Sequence, residues 1–265
     1  MKPSAAKKAM SVVLSTIILA SAILTITMAA IFVSNTVLEQ QLDQSEFEQA
    51  KNNLVTLVDI IEHVAVNPGS SGYIRLNLRT ARPNFERNAG TIEVTVQEIS
   101  VIRGYTGSLH VGGGRNVGVG GKEVLIGSDE LIITSASDPL GYVYVVQQNG
   151  AWVNLDYERV RATYLGKYLY HEGGSKVNRS VVRISFINIT FGEIRTISGG
   201  VLNLAVRNVR TQVQTYLFPS ANVQVEVSFN GRTESVNLGS EEQGQYPATE
   251  TVVYVVRMDL EIASL

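Results

Sequence analysis

The sequence predicts an α+β fold that is mainly β, with one long N-terminal α-helix followed by an antiparallel β-sandwich-like head. Three observations carry this. The stretch Met10–Val33 is apolar and uncharged, a one-sided apolar pattern continues to residue 66, and after residue 72 the hydrophobic period changes from 3.6 to 2.

Within Met10–Val33, six residues are Ser or Thr and the other 18 are apolar. At about 1.5 Å per residue the helix measures roughly 36 Å, enough to cross a hydrocarbon layer of roughly 30 Å. The hydroxyls fit such a helix, because Ser and Thr can bond back to the carbonyl one turn earlier and let neighbouring helices approach closely. The residues expected to form the membrane-embedded surface are Val12, Val13, Leu14, Ile17, Ile18, Leu19, Ile23, Leu24, Ile26, Ile31, Phe32 and Val33. Lys2, Lys7 and Lys8 precede the run, and the next charge is Glu39. By the positive-inside rule the N-terminus is cytoplasmic, and everything after about residue 36 is extracytoplasmic.

The second half of the helix is amphipathic. Leu38, Leu42, Phe47, Ala50, Leu54, Leu57, Val58, Ile61 and Val64 recur mostly at steps of three or four, with charged residues between them. Asn67-Pro68-Gly69-Ser70-Ser71-Gly72 then stops it. The organisation is a basic leader over 1–9, a helix over 10–66 and a head over 73–265. The helix divides into an embedded half, 10–36, and a half that docks on the head, 37–66.

In the head, 91–96 and 222–229 alternate cleanly, and Asn230-Gly231 joins the latter to 232–238 as a hairpin with a tight primed turn. Further strands are expected over 142–147, 180–189, 193–197, 201–206, 212–217 and 251–262. About ten strands with no helical repeat indicate a sandwich or barrel. The number of β domains stays open at this level.

Composition excludes several functions. The net charge is −2 and charged residues make up 17% of the chain. Residues 1–62 hold four Lys and six acidic residues, which leaves the head neutral. No nucleic-acid partner is expected, and an arginine group at Arg75, Arg79, Arg82 and Arg87 reads as a solvated face. The absence of Cys removes thiolate metal sites, disulfides and Cys nucleophiles. The Gly-rich stretch 104–127 fails as a phosphate loop, since Asn116 and Glu123 stand where Gly and a hydroxyl residue are required, and it reads as a turn-rich surface loop. His63, His110 and His171 have no partners at metal-binding spacing. No cofactor and no enzymatic activity are expected. Two sequons, at Asn178 and Asn188, are candidate N-glycosylation sites, provided their side chains face solvent.

Three fates of the N-terminus follow from the sequence. A signal peptidase could cut after Ala20-Ser21-Ala22, which would leave Ile23–Val33 at the new terminus. The helix could be a permanent anchor. The third cut lies between Ala9 and Met10, directly after Lys7-Lys8, and keeps the helix whole. The string Lys7-Lys8-Ala9-Met10-Ser11 before an uninterrupted apolar helix resembles the class III signal peptide of type IV pilin-like proteins, particularly archaeal pilins and archaellins. The resemblance covers about the first 60 residues in motif and layout. Leu14 occupies the fifth mature position, where bacterial pilins usually carry Glu, so it points to an archaeal-type subunit. It implies a prepilin peptidase and a pilus assembly platform as partners, and a helical filament of identical copies at the cell surface, used for adhesion or surface interaction. A reading of another class is a monomeric membrane-anchored β-sandwich that binds a sugar, a solute or a partner protein. A tethered extracytoplasmic hydrolase is the remaining alternative.

Overall fold

A computed structural model describes residues 4–128, 131–135, 137–172, 175–195, 200–239 and 248–265, with side chains described from residue 14. Helix α1 runs Ser4–Ala65. Strands β1 (Ser71–Asn77), β2 (Arg82–Val96), β3 (Ile99–Gly112), β4 (Glu123–Ile126) and β5 (Ile133–Thr134) follow. Then come β6 (Tyr142–Gln147), β7 (Ala151–Asp156), β8 (Val160–Glu172) and β9 (Ser175–Phe191). The chain closes with β10 (Val201–Phe218), β11 (Asn222–Phe229), β12 (Arg232–Gly239) and β13 (Glu250–Ser264). The predicted class holds: one long N-terminal helix and a mostly antiparallel, sandwich-like head.

Residues 4–9, ahead of the apolar run, are helical too. Its stop is where Pro68 and Gly69 place it, with Gly69 in the left-handed region at φ 77°. The terminal carbonyls find side-chain donors: Asn208 Nδ2 on β10 donates to the carbonyls of Val64 (3.2 Å) and Ala65 (3.0 Å), and Ser70 Oγ to that of Val64. The docked apolar stripe starts at Phe47 rather than Leu38, about two and a half turns later than the period alone suggests. Phe47, Ala50, Leu54, Leu57, Val58, Ile61 and Val64 are buried, whereas Leu38 and Leu42 are about half exposed.

The thirteen strands form two sheets. One has the order β1-β10-β13-β9-β8-β5 and the other β12-β11-β2-β3-β7-β6-β4. The first departs from a purely antiparallel pattern, because β9 and β13, far apart in sequence, pair in parallel, as do β5 and β8. The β9–β13 register runs without a bulge from Arg179↔Glu250 to Phe191↔Ile262, so alternation assigns each residue to a face. Along both strands the apolar set changes face midway. Val182, Ile184 and Phe186, with Val253 and Val255, join one core cluster, while Ile187 and Ile189, with Val256, Met258, Leu260 and Ile262, join the other.

The two cores therefore lie on opposite faces of the first sheet. On one face it packs against β11, β2 and the start of β3 through Val223, Val225, Val227, Ile92 and Val94. On the other face lies α1, clasped between β1, β10 and β13 beneath and β3, β6 and β7 above. The second sheet reaches both cores because β3 passes the free end of β9. At that crossing a Cβ on Gly107 would stand 2.8 Å from the Phe191 ring and 2.9 Å from the Ile189 carbonyl, so only Gly allows the approach.

Several sequence expectations change here. The segments 201–206 and 212–217 are one strand, β10, with a bulge between Asn208 and Arg210. Residues 193–195 form no strand, and 196–197 lie outside the described residues. Much of the Gly-rich stretch is strand: 104–112 belong to β3 and 123–126 to β4. Only the middle is a loop, and it is partly a packing surface, since a Cβ on Gly113 would stand 2.8 Å from the Phe47 ring. Glycines read as turn signals when they also serve close approach, and the sequence does not separate the two uses.

Candidate functional site

The feature that sets this molecule apart is the contrast between the two halves of α1. From Leu14 to Leu42 every residue of the helix is exposed. Leu14, Ile17, Ile18, Leu19, Ile23, Leu24, Ile26, Ile31, Phe32 and Val33 are all more than half exposed. Lys7, Lys8, Ala9, Met10, Val12 and Val13 lie on the same helix, but their side chains fall outside the described residues. The most apolar window of the helix reaches a mean hydropathy of 2.4 with none of it buried, so this helix is long and apolar enough to cross a membrane. Several of its hydroxyls are satisfied internally, as expected: Thr25 Oγ1 donates to the Ser21 carbonyl, Thr27 Oγ1 to Ile23 and Thr36 Oγ1 to Phe32, at 2.8–3.0 Å.

From Asp43 onward one face of the helix is buried against the head, while Gln44, Glu48, Asn52, Thr56, Asp59 and His63 stay exposed on the other. Glu46 accepts the backbone N–H of Thr80 at 3.0 Å, the Thr80 hydroxyl at 2.7 Å and the N–H of Ala81 at 3.3 Å, which ties the β1–β2 connection to α1. Glu62 accepts the N–H groups of Leu140 and Gly141 and lies 3.5 Å from Arg161, so it holds the loop before β6. Buried Asp43 accepts Asn116 Nδ2 at 3.0 Å. Carboxylates on an apolar helix face are costly unless each lone pair finds a donor, and here loops of the head supply them. The sequence showed these charges as the polar side of the stripe. Their partners, 34 to 79 residues away, carry no local signal.

His63 and His171 are exposed, and His110 is held by Asn154 at 2.6 Å and Glu86 at 3.5 Å. No group of three or more metal-ligating side chains occurs among the described residues. Asn188 is 6% exposed, and its Nδ2 donates to Asp259 at 2.8 Å. The solvent-facing condition for that sequon is therefore not met, because position 188 falls on the face of β9 that the head covers. Asn178, near the start of β9, is half-buried.

One carboxylate pair is set apart by its environment. Burial raises Glu158 to about 7, with the neighbouring Asp156 adding to the shift, and burial raises Asp156 too. A raised carboxyl pKa means that the fold prefers the neutral form. The associated stability is complete below the ordinary value near 4.5 and is lost as pH climbs through about 7. We expect Glu158→Gln to stabilise the head at pH 8 by on the order of 2 kcal/mol while changing little at pH 4.5. Denaturant midpoints at the two pH values check this, and equal effects at both would contradict it.

Comparison with known proteins finds no family model, no curated protein and no solved structure that matches this chain.

Proposed function

We propose that the protein is a non-enzymatic structural subunit of an extracellular type IV pilus-like filament, stored in the cell membrane with its N-terminus cytoplasmic. One observation carries the reading: an uncharged helical surface left wholly uncovered, continuous with a half-helix clasped between two layers of a folded head. In water that surface is unfavourable by about 25 cal/mol for each Å² of apolar area. Lipid covers it before assembly, and the helices of other copies cover it afterwards. Extraction from the bilayer is thus offset by helix packing in the fibre core. The internally satisfied Ser and Thr suit both environments, since neither offers water. Contacts between copies are heterologous and build an open helix, with the heads outermost and available for adhesion.

The rigid clasp supports a subunit that moves as one body, because a force on the helix reaches the head through Glu46, Glu62 and the buried stripe. The test is intact mass and N-terminal sequencing of the protein recovered from its membrane or from shed surface material. A start at Met10 with the helix retained is the expected result. A start at Met1 would favour the permanently anchored binding protein, and a start at Ile23 would overturn both readings.

A further inference from the structure

Where α1 leaves the head, loops of the head form a concave collar against one face of it, that of Glu39, Leu42 and Asp43. The cavity, about 870 Å³, is lined by Glu39 and Asp43 of the helix, the β1–β2 connection, the β3–β4 loop and the start of β7. Three exposed arginines stand on this rim: Arg79 from the first connection, Arg82 at the start of β2 and Arg115 from the β3–β4 loop. The fold thus divides the sequence's arginine group, keeping Arg79 and Arg82 here while Arg87 reaches the Gly192 carbonyl, and it adds Arg115 from a distant loop. None of the three rim arginines makes a hydrogen bond or ion pair among the described residues. Of the two carboxylates, Asp43 is already engaged by Asn116, and Glu39 faces solvent. The chain's one tryptophan, Trp152, lines the same cavity with its indole N–H satisfied by the Gln148 carbonyl.

The position of the collar identifies its partner. Glu39 and Asp43 lie six and ten residues beyond Val33, roughly 9–15 Å along the helix from the end of the apolar run. The polar layer outside the hydrocarbon core is roughly 5–8 Å thick, and an arginine side chain spans the remaining gap. Guanidinium groups bind phosphate oxygens in a bidentate fork, and tryptophan favours this layer. We infer that Arg79, Arg82 and Arg115 form a collar that binds the phosphate groups of anionic lipids in the outer leaflet that α1 crosses, seating the head on the membrane until the subunit is extracted. This rests on the membrane-stored state proposed above.

The test uses the full chain reconstituted in phosphatidylcholine vesicles with and without phosphatidylglycerol, with the fluorescence of Trp152 as a reporter at the site itself. A blue shift in the anionic vesicles that high salt reverses, and that is absent from R79Q/R82Q/R115Q, is the expected result. Each arginine contributes about fivefold to association with an anionic surface, so single substitutions raise the anionic fraction needed for half the shift. The three side chains are exposed, and an unchanged melting temperature shows that the triple variant is folded. Equal spectra in both vesicle types, or a shift retained by the triple variant, would overturn the collar. So would the same shift on adding inorganic phosphate to neutral vesicles. Release of the protein by alkaline extraction from both vesicle types would instead overturn the membrane-stored state.

Discussion

On the function proposed above, Ile23→Lys is expected to remove the protein from both membrane and filament while leaving the head folded. Ile23 lies near the middle of the uncharged run and is more than half exposed, so no contact within the molecule depends on it. At the centre of a membrane helix, a lysine costs about 2.5–3.5 kcal/mol and an isoleucine contributes about 0.3–0.6 kcal/mol. The segment 14–33 contains ten Leu, Ile, Phe and Val residues, worth roughly 3–6 kcal/mol on the same scale, and five Ser and Thr residues that contribute nothing favourable. One charge therefore cancels most of the insertion free energy. In a filament the same lysine would be buried among apolar helices without a counter-charge. Membrane fractionation and electron microscopy of surface material read the effect, with Ile23→Val as the silent control. A lysine variant that still forms filaments would sink the assembly mechanism.

Leu54→Ala is expected to have the opposite profile, destabilising the head without touching the apolar surface. Leu54 is fully buried between the first sheet and the β3–β7–β6 layer. Truncating a leucine in a packed core costs about 2–5 kcal/mol, from lost transfer free energy and the cavity left behind. For a chain of this size each kcal/mol lowers the melting temperature by about 2–4 °C, so a fall of roughly 4–20 °C follows. Thermal melts of the detergent-solubilised chain, followed by circular dichroism, measure it. Leu24→Ala removes the same atoms from the exposed half and should leave the melt unchanged. Equal melts for the two variants would mean that α1 does not dock as described.

Those two positions show how the sequence and the fold divide the information. Both are leucine or isoleucine on one unbroken helix, and the pattern around them distinguishes their fates. Ile23 sits where every side is apolar, and Leu54 where apolar residues recur at three and four. Alternation found β11 and the Asn230-Gly231 turn, where Asn230 and Gly231 both take positive φ. It missed β8, whose Tyr, Lys and Gly residues mix with apolar ones, and β3, whose glycines resemble a loop.

The sequence by itself determined the class of fold, the extent and end of the long helix, its division into an uncovered and a docked half, and the want of a local catalytic motif. These depend on the spacing of residue types along one element, which the chain carries locally. Tertiary structure alone decided what covers each face. The apolar parity of β9 and β13 shifts at Phe186–Ile187 and at Val255–Val256, and that shift acquires meaning only once the two strands pair across the fold with different layers on either side. The same holds for Glu46, Glu62 and Asn208, whose partners are remote in the chain, and for the arginine collar, which brings Arg79, Arg82 and Arg115 to one face of the helix. Periodicity records which side chains share a face. Which surface meets that face depends on contacts between residues far apart in the chain, and no local pattern encodes them.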